Sequence, residues 1–282
     1  MSKERTFAEE TVYSITKSMR KELWTPFIAA VKRYKLIEEG DRIAVCVSGG
    51  KDSMLLAKMM QLLQKYSEVP FENVYLVMDP GYSPANRAKI EENAAKLEIP
   101  VTIFDSGIFS VSENVEKNPC YLCARMRRGY LYAKAKELGC NKIALGHHRN
   151  DVIETTLMAM LYGAQLQGMM PKLRSANFEG MELIRPLYCV REEDVVRWRD
   201  RHHLEFLRCA CRLTEEIEES GDGVGPSKRQ EVKALIASLK KDNPLIEENL
   251  FNSIHSLHLD TFPEYKQHGV FHDFVTHYGE LE

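Results

Sequence analysis

The chain has 282 residues, of which 44% are hydrophobic and 28% are charged, and its formal net charge is −3. These totals indicate a globular protein that can bury a substantial core, as one large α/β domain or as one domain with helical additions. No apolar run approaches the ~20 residues of a membrane span, and the N-terminus lacks the apolar core of a secretion signal. Seven cysteines, an odd number, do not indicate a disulfide framework. We therefore expect a cytoplasmic protein with no membrane partner.

The first part of the chain predicts a helical segment followed by a strand, a loop and a helix. Residues 10–39 are expected to be mostly helical, and Gly40 is expected to end this segment. The apolar run 43–47 predicts a buried strand, and apolar residues at helical spacing predict a helix from about Ser53. Between them lies the sequence Ser48-Gly49-Gly50-Lys51-Asp52-Ser53. Two glycines before a helix N-terminus let backbone N–H groups close around an anion, so this loop is predicted to bind phosphate.

The loop is not a Walker A loop. That pattern has four residues between its first glycine and the Gly-Lys pair, and a Ser or Thr directly after the lysine. Here the two glycines are adjacent and Asp52 follows Lys51. The alternative is a glycine-rich turn without a ligand, which the strand–loop–helix context disfavours.

The rest of the chain alternates between strands and helices, which predicts parallel βαβ units and an α/β fold with a doubly wound parallel sheet. Further strands are predicted at 73–78, 101–104, 142–145 and 183–184, and helices at 84–97, 121–138, from Asn150-Asp151 onward, at 192–203, 227–240 and 245–257. Residues 162–181 are expected to form a loop or lid. We divide the chain into an N-terminal helical segment (1–40), a nucleotide-binding domain (41–212) and a C-terminal acidic linker with helices (213–282).

Several polar residues follow predicted strands, at the sheet edge where ligands bind in such folds. Asp79 is a candidate contact to the ribose or adenine of a nucleotide, although Asp-Pro-Gly is also a turn sequence. Gly146, His147 and His148 follow the strand at 142–145, where a site role competes with capping or packing. Asn150-Asp151 is expected to cap the next helix, whose methionine-rich face is expected to be core.

Charge is distributed unevenly along the chain. Residues 120–150 carry seven Lys/Arg against a single acid, Glu137, whereas residues 215–222 are strongly acidic. A basic block on an acidic chain indicates a contact with a polyanion, although such a block is more often a solvated helix face. The candidate phosphate contacts are Arg125, Arg127, Arg128, Lys172 and Arg174, and Tyr121 and Tyr130 are candidates for stacking on bases.

Four cysteines have the spacing of a metal site. Cys120 and Cys123 lie one turn apart at the start of a basic helix, which favours the thiolate form, and Cys209 and Cys211 supply further thiols. Three arrangements are consistent with this spacing: a four-cysteine zinc site, a redox disulfide between the first pair, and an iron–sulfur cluster held by three cysteines. Cys46 and Cys140 are expected to be inert buried thiols.

Taken in series, these motifs resemble a known family. The loop 48–53, the run Cys120 to Gly129, the run Leu145 to Asp151, and the sequences Gly-Met-Met-Pro-Lys-Leu and Ile-Arg-Pro-Leu are similar in order and composition to those of the tRNA 2-thiocytidine synthetases. These TtcA and TtcA-like enzymes belong to the N-type ATP pyrophosphatase (PP-loop) superfamily. The resemblance covers roughly residues 20–260, and Asn150 departs from the Asp of the bacterial enzymes.

The resemblance implies an adenine nucleotide alpha-hydrolase-like fold and a sulfur transfer to tRNA that depends on ATP. ATP with Mg²⁺ would adenylate a cytidine of the anticodon loop, and a sulfide would then replace AMP. The family's 4Fe–4S cluster carries over to Cys120, Cys123 and, as the third ligand, Cys209, with Cys211 as its rival. Lys51, Asp52 and Ser53 would be catalytic, and the nucleotide would contact the loop 48–53, Asp79, Gly146, His147 and Asp151.

The resemblance also implies partners and leaves alternatives. Beside the tRNA anticodon loop, the partners would be a sulfur donor, either a cysteine desulfurase or inorganic sulfide, and a second copy in a homodimer. One alternative is a PP-loop enzyme that thiolates or desulfurises another nucleotide substrate. The other is a zinc-stabilised RNA-binding module without catalysis.

Overall fold

The structure, a computed structural model, describes residues 5–106, 119–207 and 227–278. The strands are β1 (Arg42–Val47), β2 (Glu72–Asp79), β3 (Val101–Asp105), β4 (Lys142–Ala144), β5 (Lys172–Arg174), β6 (Glu182–Ile184), β7 (Glu264–Gln267) and β8 (Val270–Asp273). Within the described ranges, the first six form one sheet in the order β3-β2-β1-β4-β6-β5, and β7 and β8 form a separate hairpin.

Five strands of the large sheet are parallel, and the edge strand β5 is antiparallel to β6. Val45 of β1 pairs with Tyr75 of β2 on one side and with Ala144 of β4 on the other. The strands β2 and β3 therefore follow β1 on one side of it, and β4, β6 and β5 lie on its other side. The predicted doubly wound parallel sheet is confirmed, and its strand order reverses between β1 and β4, where such folds bind ligands.

The helices lie between and beyond the strands. They are α1 (Phe7–Tyr13), α2 (Thr25–Arg33), α3 (Lys51–Tyr66), α4 (Pro84–Lys96), α5 (Pro119–Glu137), α6 (Arg149–Gly163), α7 (Glu192–Arg201), α8 (Lys228–Asp242), α9 (Ile246–Ile254) and α10 (Phe274–His277), with two π-helical turns (Ser14–Ser18 and Arg20–Trp24) and a 3-10 turn (Leu259–Thr261). No helix in the described part of the chain is long and apolar enough to cross a bilayer.

The central strand β1 is buried on both faces, which explains its continuous apolar sequence. Ile43, Val45 and Val47 face the larger core, which also contains the buried residues of α3, whereas Ala44 and Cys46 face a second core with residues of α5. Successive side chains of a strand point to opposite faces, so this alternation follows from the strand itself. Helices therefore cover both faces of the sheet.

The C-terminal helices α8 and α9 pack against α6. Val232 and Ile236 of α8 and Phe251 of α9 form a third core with Val152 and Ile153 of α6. The two predicted closing helices are confirmed. Through this third core, the C-terminal part of the chain is attached to the helix that follows β4.

Two details of the helices differ from the sequence-based expectations. The N-terminal helical segment ends at Arg33 and not at Gly40, because Lys35 has a positive φ of 46° and the Leu36 N–H closes on the Val31 carbonyl. Met160 is 50% exposed, whereas Met158 packs against the third core, so the methionine-rich face of α6 is only partly core.

The hairpin of β7 and β8 was not predicted from the sequence. Its two turn residues, His268 and Gly269, have φ of +51° and +84°. Positive φ at both central positions is typical of the tight two-residue turns that match the twist of a hairpin. The turn sequence His-Gly is weaker than Asn-Gly, and the flanking strands are only four residues long.

Candidate active site

A cavity of about 410 Å³ lies where the strand order reverses, at the carboxyl ends of β1 and β4. Its lining combines the loop after β1, the loop after β4 and the exposed side of α5. The lining residues are Cys46, Val47, Ser48, Gly50, Asp52, Ser53, Met78, Tyr82, Arg127, Arg128, Leu131, Ile143, Leu145, Gly146, His147 and Asp151. The structure thus brings seven of the predicted loop and strand-end residues to one cavity, together with two of the predicted basic residues. The seven are Ser48, Gly50, Asp52, Ser53, Gly146, His147 and Asp151, and the two basic residues are Arg127 and Arg128.

The loop after β1 is held in a fixed shape by its own hydrogen bonds. The Ser53 hydroxyl donates to the Gly50 carbonyl (2.9 Å) and accepts from the Ser48 N–H (3.1 Å). Gly49 has a φ of +82°, and a Cβ there would lie 2.7 Å from Ile90 Cγ1. The N-cap of the 16-residue helix α3 is Gly50, and among the described residues no side chain caps this helix end, so its first N–H groups face the loop without a side-chain acceptor. The predicted anion cradle is therefore preformed.

Gly146 lets the loop after β4 lie directly against this cradle. A Cβ at position 146 would be 3.1 Å from the Asp52 carbonyl carbon and from the Ser53 nitrogen. These are backbone atoms of the first turn of α3, which cannot rotate away as a side chain can. Gly146 is therefore needed for the close approach of the two strand-end loops.

Lys51 is held among carboxylates beside the cradle. Its Nζ lies 3.1 Å from Asp52 Oδ2 and 3.2 Å from Oε1 of Glu192, the first residue of α7. Burial alone would raise the pKa of Glu192, but Lys233, His148 and Lys51 together lower it to about 2. Lys51 and Glu192 also line a second cavity of about 810 Å³ on the other side of the loop. Sequence analysis did not identify Glu192, because it lies 140 residues away from the loop in the chain.

The two histidines have different roles. The His148 ring accepts from the Asp151 N–H at 3.4 Å, and the Asp151 carboxylate accepts from the His148 N–H at 2.9 Å, so the capping role holds for His148. The cap of α6 is therefore His148 and not Asn150-Asp151, which lie in its first turn. His147 lines the cavity, and burial lowers its pKa to about 4. His147 is therefore neutral near pH 7 and offers a hydrogen-bonding group in the cavity wall.

Asp79 is used by the turn after β2. Its Oδ1 accepts from the N–H groups of Gly81 (2.8 Å) and Tyr82 (2.7 Å), and its Oδ2 pairs with Arg87 at 3.1 Å. The Asp79 carboxylate is absent from the residues that line the cavity, whereas Met78 and Tyr82 line it. The turn that Asp79 holds therefore presents its neighbours to the cavity.

The predicted phosphate contacts divide into two groups. Arg127 and Arg128 of α5 line the cavity, and Arg128 contributes, after burial, to lowering the pKa of Arg185 to about 10. Lys172 instead pairs with Glu182 at 3.1 Å, away from the cavity. The side chain of Arg125 lies outside the described residues.

The cysteines are described only in part. Positions 120 and 123 lie in the first turn of α5, but the description does not extend to their side chains, and Cys209 and Cys211 fall outside the described residues. Just before that segment, Leu207 donates its N–H to the Gly49 carbonyl at 3.3 Å. Cys46 and Cys140 are buried, and burial raises the pKa of the Cys46 thiol to about 12, as expected for inert thiols. Among the described side chains, no three His, Cys, Asp or Glu residues form a metal-binding group.

Comparison with known proteins agrees with this geometry. Residues 21–212 match a family model described as "PP-loop domain". The chain is 35% identical over 257 residues to the tRNA-cytidine(32) 2-sulfurtransferase of Alkalilimnicola ehrlichii, covering 90% of this chain and 77% of the relative. It is 36% identical to the enzyme of the same name from Geotalea uraniireducens, covering 80% and 87%.

A solved structure shares the fold. The U34-tRNA thiolase NcsA from Methanococcus maripaludis, determined with its 4Fe–4S cluster, superposes with a TM-score of 0.63 at 20% identity, covering 86% of this chain and 80% of that one. The two chains therefore share the fold of the sheet and its flanking helices.

Proposed function

We propose that this chain, which belongs to the PP-loop family and to the family of the tRNA-cytidine(32) 2-sulfurtransferases, is a transferase that uses ATP to convert a cytidine of tRNA to 2-thiocytidine. The observation that carries the proposal is the preformed anion cradle of residues 48–53, which opens on a cavity of about 410 Å³. The relatives of the same family are named for sulfur transfer to cytidine 32 of tRNA.

In the first step, the cradle binds the phosphates of ATP. Oxygen O2 of the cytidine attacks the α-phosphorus, the bond from that phosphorus to the α,β-bridging oxygen breaks, and pyrophosphate leaves. The N–H groups of the first turn of α3 and the Lys51 ammonium stabilise the negative charge that the departing pyrophosphate carries. Lys51 exchanges its contacts with Asp52 and Glu192 for contacts with phosphate oxygens.

Mg²⁺ would bind with the nucleotide. Oδ1 of Asp52 is buried and lacks a hydrogen bond within the described residues, and Asp52 and Asp151 both line the cavity. Carboxylate oxygens are preferred ligands of Mg²⁺, which usually combines one or two of them with phosphate oxygens of the substrate. We assign Asp52 and Asp151 to this role, with Ser53 holding the loop in shape.

An iron–sulfur cluster would be held by Cys120, Cys123 and a third cysteine, Cys209 with Cys211 as its rival. Thiolates are the usual ligands of such clusters, and positions 120 and 123 lie one turn apart at the start of α5. Leu207, the last described residue before Cys209, donates its N–H to the Gly49 carbonyl of the cradle. When bound, the cluster would supply the sulfide for C2 of the adenylated cytidine, and AMP would leave with the former O2 oxygen.

The anticodon loop of tRNA is the proposed polymer substrate. Arg127 and Arg128 line the cavity and can contact backbone phosphates, and Tyr130, on the same helix, is 42% exposed and can stack on an unpaired base. We further propose that the chain acts in the cytoplasm as a homodimer and receives sulfur from a cysteine desulfurase or from inorganic sulfide.

The decisive experiment is mass spectrometry of tRNA nucleosides after incubation of the anaerobically purified protein with ATP, Mg²⁺, sulfide and unmodified tRNA. We expect 2-thiocytidine together with AMP and pyrophosphate. A different thiolated nucleoside would transfer the proposal to another nucleotide, and the absence of both AMP release and thiolation would overturn it.

Two sets of variants test the residue assignments. Lys51→Ala should lose turnover and keep the brown colour of the cluster, because Lys51 acts on the phosphates. Cys120→Ala and Cys123→Ala should each lose iron. Full iron content in either cysteine variant, or zinc in a colourless wild-type protein, would contradict the cluster assignment.

A further inference from the structure

The strongest feature outside the assigned site is a pair of cations on α8, Arg229 and Lys233. They lie four residues apart, which places them on the same face of the helix. The helix begins with a capping box between Ser227 and Gln230, and its buried residues Val232 and Ile236 fix it against α6. The two cations are therefore held on a rigid element that lies beyond the region matched by the family model, which ends at residue 212.

Arg229 contacts the first turn of the helix that carries Asp151. Its Nη1 lies 2.9 Å from Asp151 Oδ1 and 2.9 Å from Glu154 Oε2. Asp151 lines the nucleotide cavity and also holds the cap of α6 through the His148 N–H. Glu154 is only 2% exposed, and a buried carboxylate that lost its cation would be strongly unfavourable. Arg229 thus fixes a cavity residue from outside the cavity.

Lys233 contacts the carboxylate that holds the loop lysine. Its Nζ lies 3.0 Å from Glu192 Oε2, and the other oxygen of Glu192 lies 3.2 Å from Lys51 Nζ. One carboxylate is thus shared between a cation of the C-terminal helix and the cation of the cradle. Lys233 also lies 3.6 Å from Glu154, so it links the two clusters.

The charge balance indicates what this arrangement does. Without the two cations of α8, Glu154 and Glu192 would add uncompensated negative charge beside a site that must accept a polyphosphate. Glu192 would also hold Lys51 more tightly, because Lys51 would be its only lysine partner among the ion pairs described here. Both effects oppose binding of ATP, since they repel its phosphates and retain the lysine that must move to them.

We propose that Arg229 and Lys233 are positioning residues that make the C-terminal helix α8 a required part of the ATP site. The proposal rests on the proposed use of ATP by this site. The two cations neutralise the carboxylates behind the cradle, keep Asp151 in the cavity wall and release Lys51 to the phosphates of the incoming nucleotide.

The test is the affinity of the full-length protein for MgATP, measured by calorimetry. Lys233→Met should raise the Kd roughly tenfold, the loss expected when one partly buried charge contact is removed. Lys240→Met is the matched control. Lys240 lies on the same helix with a similar side-chain exposure, 38% against 44%, but pairs with Glu193 and Glu247 away from the cradle. Lys233→Arg, which keeps the charge, should bind MgATP within about twofold of wild type.

Two further variants separate positioning from a general loss of structure. Arg229→Gln perturbs the other cation of α8 and should raise the Kd for MgATP by the same factor. A thermal melting curve of this variant shows whether it is folded. Glu192→Gln in the Lys233→Met background should restore part of the affinity, because the uncompensated carboxylate is removed. Only variants that retain cooperative melting are interpreted.

The outcomes are distinct from those that test the function. The proposal is overturned if both Lys233→Met and Arg229→Gln bind MgATP as tightly as wild type, or if Lys240→Met loses as much affinity as Lys233→Met. If wild type binds MgATP but thiolates no tRNA, the proposed function fails while the role of α8 is still decided by these affinities.

Discussion

Replacement of Gly146 by alanine tests the contact between the two strand-end loops. Gly146 is not among the glycines with positive φ, so alanine can adopt its backbone conformation. The added Cβ would meet the Asp52 carbonyl carbon and the Ser53 nitrogen at 3.1 Å, and the Asp52 oxygen at 3.2 Å. Unstrained carbon contacts lie at about 3.5–4.0 Å, so the first turn of α3 must move by a few tenths of an ångström.

This displacement has two expected consequences. Overpacking of this kind costs about 1–3 kcal/mol, so the free energy of unfolding in urea should fall by that amount. The moved atoms carry the N–H groups of the anion cradle, and we expect the Kd for MgATP to rise by about tenfold or more because the phosphates are no longer met in the preformed geometry. Calorimetry with MgATP measures the second effect separately from the first.

Gly129→Ala is the control for this prediction. Gly129 lies within α5, and a Cβ there would meet no heavy atom within 4 Å. Alanine should therefore stabilise the helix by about 0.5–1 kcal/mol and leave the affinity for MgATP unchanged. If Gly146→Ala retains both wild-type stability and wild-type affinity, then the close approach of the two loops does not shape the nucleotide site.

Three further predictions concern stability. Lys142→Met should lower the free energy of unfolding by about 3–5 kcal/mol, because Asp41, 2.7 Å from the ammonium and 4% exposed, would lose its cation, whereas Lys134→Met on an exposed pair should cost under about 1 kcal/mol. Burial holds the pKa of His147 at about 4, below the ordinary 6.5. Since the folded state disfavours the protonated ring, the free energy of unfolding is at its full value above pH 6.5 and falls by up to about 3 kcal/mol as the pH is lowered toward 4. His147→Gln should flatten urea-unfolding stability in that window, and an unchanged pH slope would show that His147 titrates normally. Ser227→Ala should lower the free energy of unfolding by about 1 kcal/mol, and with it the midpoint temperature, because the cap at the start of α8 is lost. An unchanged midpoint temperature would contradict the role of Ser227 as the cap.

Much of the fold followed from local sequence signals. The apolar run of β1 and the helical spacing after it predicted a strand, a loop and a helix in the order observed. Ser83 caps α4, the helix predicted at 84–97, and Gly139 ends α5 with a positive φ of 73°. Such signals are readable because caps, glycine turns and apolar periods act over only a few neighbouring residues. Where a local signal was weak, as for the hairpin turn His268-Gly269, no element was predicted.

The ionic surroundings of the site could not be read in the same way. Lys51 was identified from its loop, but its partner Glu192 and the cation behind it, Lys233, are distant in the chain and follow no motif. The choice between site and cap for His148 also depended on whether Asp151 could reach its N–H. Ion pairs depend on distances between elements, and neither composition nor periodicity encodes those distances.

The amino-acid sequence by itself therefore determined the alternation of strands and helices, the phosphate-binding loop and the family of the chain, since each depends on residues close together along the backbone or on their order. Only the tertiary structure decided that β1 and β4 meet at the reversal of strand order, that Gly146 touches the first turn of α3, and that α8 brings two cations behind the cradle. These contacts join segments up to about 100 residues apart, and packing of the whole chain is what sets them.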